Sequence, residues 1–489
     1  MRRQADARQI ANVADVADVA GAGTQPLATA RDVRGSVSGH QAWGQRALAR
    51  LLAGAKAFGR WLWPLADAPK GIAALDGLRA VAALSIVAFH TLLYMQFEYT
   101  PLSHAIGGVW YNLASGVPLF FVLSGFLLFL PYARSMLYGK QFPSAWRFYQ
   151  KRALRILPAY YVCLFVVAPF RAFSPIRPLW LNVGIHMLFL HDDFPLYNRD
   201  LNGPFWTLAV EWQFYILLPL IALGLARLVA ASRSLPRLIG WLGAFIGGVE
   251  LLRALDAQLM IHLPTNASSD TLTSGIQREF VLVTMGMQGK YLEIFAVGML
   301  CSALYVWSVE QRQLGERLRR RLGYGVLALG VIFGVLSILD DAASAALFTP
   351  GQVWGPEILL YPLITGLAYG GLLLGMLWAG GWLRALFETR LLRLLGLMSF
   401  SIYLWHLPIL HADIPIFAPL SLPWRLVCVF VVSYLSYQLV ERFFLSRKRL
   451  VERGRPAFAA PAPAYPAATS PAPAPATTAQ ATSGGRHSA

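Results

Sequence analysis

Ten apolar runs, each close to the length of helix that crosses a lipid bilayer, constrain this chain more than any other feature of its sequence. About 17–25 apolar residues are needed to span a hydrocarbon core roughly 30 Å thick. The runs cover residues 72–95, 113–132, 156–173, 206–225, 238–252, 291–309, 322–339, 358–378, 394–410 and 424–444. The sequence therefore predicts an all-α fold, a transmembrane helix bundle of about ten spans. The apolar stretch 179–190 is too short to cross and is predicted to be re-entrant or interfacial.

The composition agrees with a membrane protein. Hydrophobic residues make up 56% of the chain, above the roughly 45–50% that is usual in soluble domains. The formal net charge is +17, but Lys and Arg fall in short clusters between the apolar runs, which is not the pattern of a nucleic-acid-binding surface. We therefore expect membrane lipids, and no nucleic acid, as partners. The three cysteines lie far apart within apolar segments, so neither a disulfide framework nor a metal site is expected.

Basic residues predict the orientation of the bundle. Lys and Arg are concentrated in alternate loops, at 134–155, 227–237, 312–321 and 384–393, whereas the opposite loops at 95–111, 341–356 and 412–422 contain none. The two remaining opposite loops do contain basic residues, but long loops weigh less in the positive-inside rule. Both termini are therefore predicted to be cytoplasmic. Counting 179–190 as a span would invert every later loop.

The two ends of the chain are predicted to lie outside the bundle, which we assign to residues 68–447. Residues 1–41 are Ala-rich and residues 456–489 repeat Pro, Ala, Ser and Thr, so both are expected to be disordered. We interpret residues 42–66 as a basic amphipathic helix on the anionic cytoplasmic leaflet; packing on a partner protein is the alternative. The basic side of this helix comprises Arg46, Arg50, Lys56 and Arg60.

The first span contains an arginine and a histidine. Ten residues separate Arg79 from His90, so an α-helix places the imidazole about 16 Å deeper than the guanidinium. Polar and ionisable groups inside a bilayer cost free energy and mark functional sites. A histidine that only packs against a neighbouring helix is the alternative interpretation.

Two arginines stand at the cytoplasmic edge of the third span. Arg152 and Arg155 lie one turn apart on one helix face, and paired guanidinium groups suit a phosphate-rich ligand because they bind phosphate oxygens in bidentate geometry. A role in topology alone is the alternative.

Three other spans carry polar or small residues. Glu211 lies a turn or two inside the outer boundary of the fourth span and needs a partner, for which an Arg or His of another helix is expected. Ser124 and Gly125 permit close approach of the second span to another helix, which packing alone also explains. His406 lies within the ninth span.

Together these segments resemble the acyltransferase 3 family of bacterial integral-membrane acyltransferases, over about residues 68–447 and with the spans in the same order. The family pattern of Arg, ten residues and His is matched by Arg79 and His90, and its RxxR motif by Arg152 and Arg155. The SGF, W-x-x-x-x-E-x-Q-F and YLWH motifs are matched at residues 124–126, 206–214 and 403–406. The sequence differs from the family pattern at three positions, Pro118, Thr207 and Trp212, where many relatives have Asp, Ser and a second Glu, respectively.

The resemblance implies an enzyme of the bacterial cytoplasmic membrane. Such proteins move an acyl group, usually acetyl from acetyl-CoA, onto a hydroxyl of an extracytoplasmic glycan such as O-antigen, exopolysaccharide or a lipid-linked precursor. Acyl-CoA would be the donor substrate, with no permanently bound cofactor. Some relatives carry an SGNH esterase-like domain at the C-terminus; we expect none here, since nothing in this chain has room for one.

The resemblance also implies roles for individual residues. His90 is expected to be the general base, with Arg79 in positioning or charge stabilisation, and the two arginines of the RxxR motif are expected to hold the donor. Four further residues are expected to contact substrate: Ser124, Trp206, His406 and, in the outer, acceptor-facing half, Glu211.

A transporter or flippase for a glycan precursor or small anion is the alternative from a different functional class, since intramembrane His, Arg and Glu also mark substrate paths. No inverted repeat or pair of broken helices is evident in the sequence, which disfavours it. A membrane anchor whose polar groups only pack the bundle is a third interpretation.

Overall fold

The computed structural model describes residues 72–97, 111–171, 178–194, 199–261, 290–310, 314–347 and 356–452, together with residues 100, 102, 109 and 197. Helices form most of this part of the chain, and no strand occurs in it. The predicted all-α class is confirmed. The predictions for residues 1–41, 42–66 and 456–489 lie outside the described residues.

Nine of the described helices are long and apolar enough to cross a membrane, and there are ten crossings if one bent pair of helices counts as a span. The helices in chain order are α1 Ala73–Tyr94, α2 Gly116–Tyr138, α3 Ala145–Arg171, α4 Leu179–Met187, α5 Phe205–Val229, α6 Leu235–Ile261, α7 Leu292–Tyr305, α8 Glu316–Leu347, α9 Pro356–Ala379, α10 Gly381–Phe387, α11 Arg390–Leu397, α12 Ser399–Leu410, α13 Leu422–Ser436 and α14 Arg442–Glu452. This number of spans agrees with the sequence. Helix α4, in the stretch predicted not to cross, has only nine residues.

The centre of the bundle is formed by α2 and α7. Among the candidate spans these two have the largest buried share, whereas α6 and α8 have the smallest. A Cβ added to Gly125 of α2 would collide with the carbonyl of Phe295, and one added to Gly298 of α7 would collide with the carbonyl of Val122. The close helix approach predicted at Gly125 is therefore confirmed, and α7 is the helix that makes it.

Alanine at Gly125 or Gly298 is expected to destabilise the bundle by about 1–3 kcal/mol, because an extra methyl group has no space between the two backbones. The matched control is Gly240→Ala in α6, where a Cβ would meet open space. Alanine favours helix over glycine, so the control should melt at or above the wild-type temperature. Thermal unfolding in detergent tests this prediction, and equal melting temperatures for all three variants would contradict it.

The ninth predicted span differs from the structure. Residues 394–410 were predicted to form one continuous span, but α11 and α12 meet near Met398 at a bend of 70°. A Cβ on Gly396 would collide with the backbone of Asp76, so α11 lies directly against the beginning of α1. Hydropathy does not reveal such a bend, because the run between Leu394 and Leu404 is still apolar as a whole despite Ser399 and Ser401.

Candidate functional site

A cavity is lined by residues of α1, α2, α3, α5 and α12, and most of the polar side chains that the sequence singled out lie on its wall. Arg79, Arg152, Arg155, Ser124 and Glu211 all line it. The rest of the wall is largely aromatic and aliphatic. Three arginines and one glutamate lie on the cavity wall, and guanidinium groups suit an anionic ligand.

Arg152 is the arginine of the cavity without a carboxylate partner among the described residues. Its guanidinium carbon lies 6.0 Å from the ring centroid of Phe148 and 5.9 Å from that of Tyr215. Its Nε is buried and makes no hydrogen bond with this part of the chain. Aromatic rings thus support the guanidinium without using its N–H donors.

Arg155 is paired with Glu441, a residue that the sequence analysis did not single out. Its Nη1 lies 3.8 Å from Oε2 of Glu441, whose side chain is completely buried. The hydroxyl of Ser401 donates to Oε1 of the same carboxylate at 2.5 Å. Glu441 ends the π-helical turn Tyr437–Glu441, and such turns are frequent at functional sites. The signal that could have identified it is a carboxylate inside an apolar span.

Arg79 lies one turn from Asp76, with 3.9 Å between Nη1 and Oδ1. The other carboxylate oxygen of Asp76 is 4.0 Å from Nε of Arg393 on α11. Helix α11 therefore brings a second arginine to the same carboxylate. This contact supports the positioning of Arg79 at the cavity wall.

Glu211 accepts two hydrogen bonds on one oxygen. Ser124 Oγ donates to Oε1 at 2.5 Å, and the hydroxyl of Tyr215 donates to the same atom. The sequence assigned Glu211 to an outer, acceptor-facing half and expected an Arg or His partner. In the structure the two hydrogen bonds to Glu211 come from hydroxyl groups, and Glu211 lines the same cavity as the three arginines. Tyr215 connects the two, since it contacts both Glu211 and Arg152.

Tyr403 connects this cavity to a second group of polar residues. Its hydroxyl donates to the carbonyl of Pro204 at 3.0 Å and lies 2.6 Å from Oγ1 of Thr207. Its ring centroid is 5.7 Å from that of His406, one turn further along α12. From the YLWH motif, Tyr403 therefore lines the cavity, and His406 belongs to the second group of polar residues.

That second group is a histidine pair, His90 of α1 and His406 of α12. Nδ1 of His90 lies 3.3 Å from Nε2 of His406, with 5.0 Å between the ring centroids. Each Nδ1 also faces a carbonyl oxygen of its own helix, that of Ile86 at 3.0 Å for His90 and that of Tyr403 at 2.8 Å for His406. His406 is fully buried, whereas His90 is partly exposed. Sequence reasoning placed both histidines inside spans but did not predict their contact.

Trp206 does not line the cavity. Its ring centroid lies 5.9 Å from that of Tyr291, at the beginning of α7. From the same motif, the side-chain amide of Gln213 donates to Oδ2 of Asp193 at 3.0 Å, and Asp193 also pairs with Lys290. Of the residues of this motif, Glu211 therefore lines the cavity, whereas Gln213 contacts the ion pair between Asp193 and Lys290. A contact between Trp206 and substrate stays a prediction.

The helix ends beyond His90 are joined by a separate polar cluster. The ring of His411, just after α12, stacks on Tyr94 of α1 with centroids 5.9 Å apart, and Oδ2 of Asp413 lies 2.9 Å from Nη2 of Arg171 at the end of α3. Burial lowers the pKa of His411. Burial also raises the pKa of Asp413, and the charge of Arg171 partly opposes that rise. These contacts hold the ends of three of the helices that line the cavity.

Comparison with known proteins agrees with the sequence motifs. A family model described as an acyltransferase domain matches residues 72–440. Peptidoglycan O-acetyltransferase OatA of Listeria monocytogenes is 25% identical over 394 residues, which cover 76% of this chain and 55% of that protein. The putative peptidoglycan O-acetyltransferase YrhL of Bacillus subtilis is 26% identical over 405 residues, covering 76% and 54%. Nodulation protein 10 of Rhizobium leguminosarum bv. viciae is 30% identical over 169 residues, covering 30% and 43%.

The chain spans about half the length of the two peptidoglycan O-acetyltransferases that it matches. No solved structure matches it.

Proposed function

This chain belongs to the acyltransferase 3 family, and on that premise we propose that it is an integral-membrane O-acyltransferase of the bacterial cytoplasmic membrane. It moves an acyl group, most simply acetyl, from acyl-CoA to a hydroxyl of an extracytoplasmic glycan. The observation that carries the proposal is the cavity with three arginines, whose wall residue Tyr403 contacts His406 and through it the partly exposed His90. Two relatives are named for peptidoglycan O-acetylation, which supports a glycan as the acceptor class.

The arginine side chains and the apolar lining of the cavity support acyl-CoA as the donor. The phosphate groups of CoA are the anions that arginine binds best, through two parallel N–H···O hydrogen bonds. Arg152 offers a guanidinium whose N–H groups are not used by a carboxylate of the described residues. The largely apolar remainder of the cavity suits the uncharged arm that carries the thioester.

The histidine pair supports proton transfer at the acceptor. The acceptor hydroxyl gives its proton to the free ring nitrogen of His90 while its oxygen attacks the carbonyl carbon of the thioester. The C–S bond then breaks, and the departing CoA sulfur takes up the proton from the imidazolium. The products are the glycan ester and CoA thiol, with His90 neutral again.

Transfer of radiolabelled acetyl from acetyl-CoA to cell-envelope glycan by the purified protein tests the proposed function. Label in the glycan that is released by mild alkali, as an O-ester is, supports it. Movement of a glycan precursor across reconstituted vesicles without acylation would instead establish a transporter and overturn the proposal.

A cytoplasmic donor site requires the predicted orientation, which single cysteines can test in a variant lacking the three native cysteines. Membrane-impermeant maleimide is expected to label cysteines at Thr349 and Ala412 from outside intact cells, and not those at Gly315 and Glu388, because basic loops stay in the cytoplasm. Permeabilised cells provide the control, since all four positions should then react. The reverse pattern in intact cells would refute the orientation.

A further inference from the structure

Backbone carbonyl groups determine where the hydrogens lie in the histidine pair. The carbonyl oxygen of Tyr403 lies 2.8 Å from Nδ1 of His406. Because a carbonyl oxygen only accepts hydrogen bonds, this Nδ1 carries a hydrogen. A neutral imidazole has one N–H group, so Nε2 of His406 has a free lone pair that faces His90.

His406 is neutral for two reasons. It is fully buried, and no acidic side chain of the described residues pairs with it, so an imidazolium would be an uncompensated charge in the protein interior. A proton on its Nε2 would also point at the N–H group of His90, only 3.3 Å away.

These constraints leave one arrangement for His90. Its Nδ1 faces two acceptors, the carbonyl oxygen of Ile86 at 3.0 Å and Nε2 of His406 at 3.3 Å. Nδ1 therefore carries the hydrogen, and Nε2 of His90 keeps the lone pair. Since His90 is the partly exposed member of the pair, the nitrogen that can act as a base is on the less buried of the two residues.

We propose that His406 is a positioning residue whose Nε2 accepts a hydrogen bond from Nδ1 of His90, orients that ring, and stabilises the imidazolium formed when His90 accepts a proton. This inference rests on the proposed base role of His90. General bases in many acyl-transfer sites are oriented through their second nitrogen by a carboxylate. A neutral imidazole performs the same task here without placing a second charge inside the membrane, where each ion costs free energy.

Substitutions at His406 test the proposal through kinetics. His406→Leu removes the acceptor, whereas His406→Gln can present an amide oxygen near the position of Nε2. The matched control is Trp405→Phe on the same helix, because Nε1 of Trp405 makes no hydrogen bond in the described part of the chain. We expect His406→Leu to lower kcat by roughly 10²-fold, the lower end of what a positioned base contributes. KM for acyl-CoA should stay near wild type, and His406→Gln should regain most of the rate.

A spectroscopic measurement separates positioning from packing. Protein labelled with ¹⁵N-histidine reports the tautomer of His90 by its two nitrogen shifts, assigned by comparison with His90→Ala. All four proteins should show hydrogen on Nδ1, because the carbonyl of Ile86 remains as an acceptor. The Nδ1 shift should move in His406→Leu, which loses the second acceptor, and stay in place in Trp405→Phe. An unchanged His90 spectrum in His406→Leu, or a rate equal to that of Trp405→Phe, would overturn the positioning role. Full activity of His90→Ala would instead overturn the base role itself, so the two failures are distinguishable.

Discussion

Alanine in place of His90 is expected to lower acyl transfer by roughly 10²- to 10⁴-fold, the contribution of a positioned general base. His90 is the partly exposed histidine of the pair, and only its Nδ1 is hydrogen-bonded within the described residues. The change leaves the three arginines of the cavity intact, so affinity for CoA should stay near wild type. The measurements are the O-acetyl content of surface glycan in a complemented deletion strain and label transfer by the purified variant.

The matched control for this variant is Thr91→Ala in the same turn of α1. The hydroxyl of Thr91 donates to the carbonyl of Val87 within its own helix, so its loss should leave transfer near wild type. Both variants are compared at equal abundance in the membrane. Wild-type acetylation by His90→Ala would exclude His90 from the chemistry and leave the histidine pair as packing.

Arg152→Ala is expected to weaken CoA binding by roughly 10- to 100-fold, since hydrogen bonds to a charged group contribute about 1.5–3 kcal/mol. Lysine at the same position keeps the charge but loses the planar fork and the stacking on Phe148 and Tyr215, so it should recover only part of the affinity. Calorimetric titration of CoA measures both variants. Acceptor affinity should be unchanged, because the substitution removes only the donor-binding group.

Two further variants serve as a control for charge and as a comparison for stability. Arg147→Ala in the first turn of α3 removes an equal charge outside the cavity and should leave CoA affinity unchanged. Arg155→Ala should lower the melting temperature more than Arg152→Ala does, because it leaves the buried carboxylate of Glu441 without its cation. If Arg152→Ala and Arg147→Ala bind CoA as tightly as wild type does, Arg152 does not hold the donor; unchanged affinity in the Arg152→Ala, Arg155→Ala double variant as well would mean that the RxxR motif serves topology alone.

Local patterns in the sequence predicted much of this molecule. Run length alone predicted the number of spans and that the stretch containing α4 is too short to cross. Helical spacing placed Arg79 and His90 on one helix, and Arg152 and Arg155 on one face of another helix. These features depend on residues close together in the chain and on the length of helix that a bilayer requires, so they can be read without knowing the neighbours of each helix.

The tertiary structure alone decided which helices bring their polar groups together. It joined His90 to His406 and Arg155 to Glu441, brought Glu211 into the cavity of the arginines, and bent the ninth span near Met398. In a soluble helix, an apolar stripe shows which face turns inward. A membrane helix is apolar on the side facing lipid as well as on the side facing protein, and this signal is lost. The sequence therefore determined the membrane-spanning helices and their polar residues, whereas the partner of each polar residue followed only from the packing of the bundle.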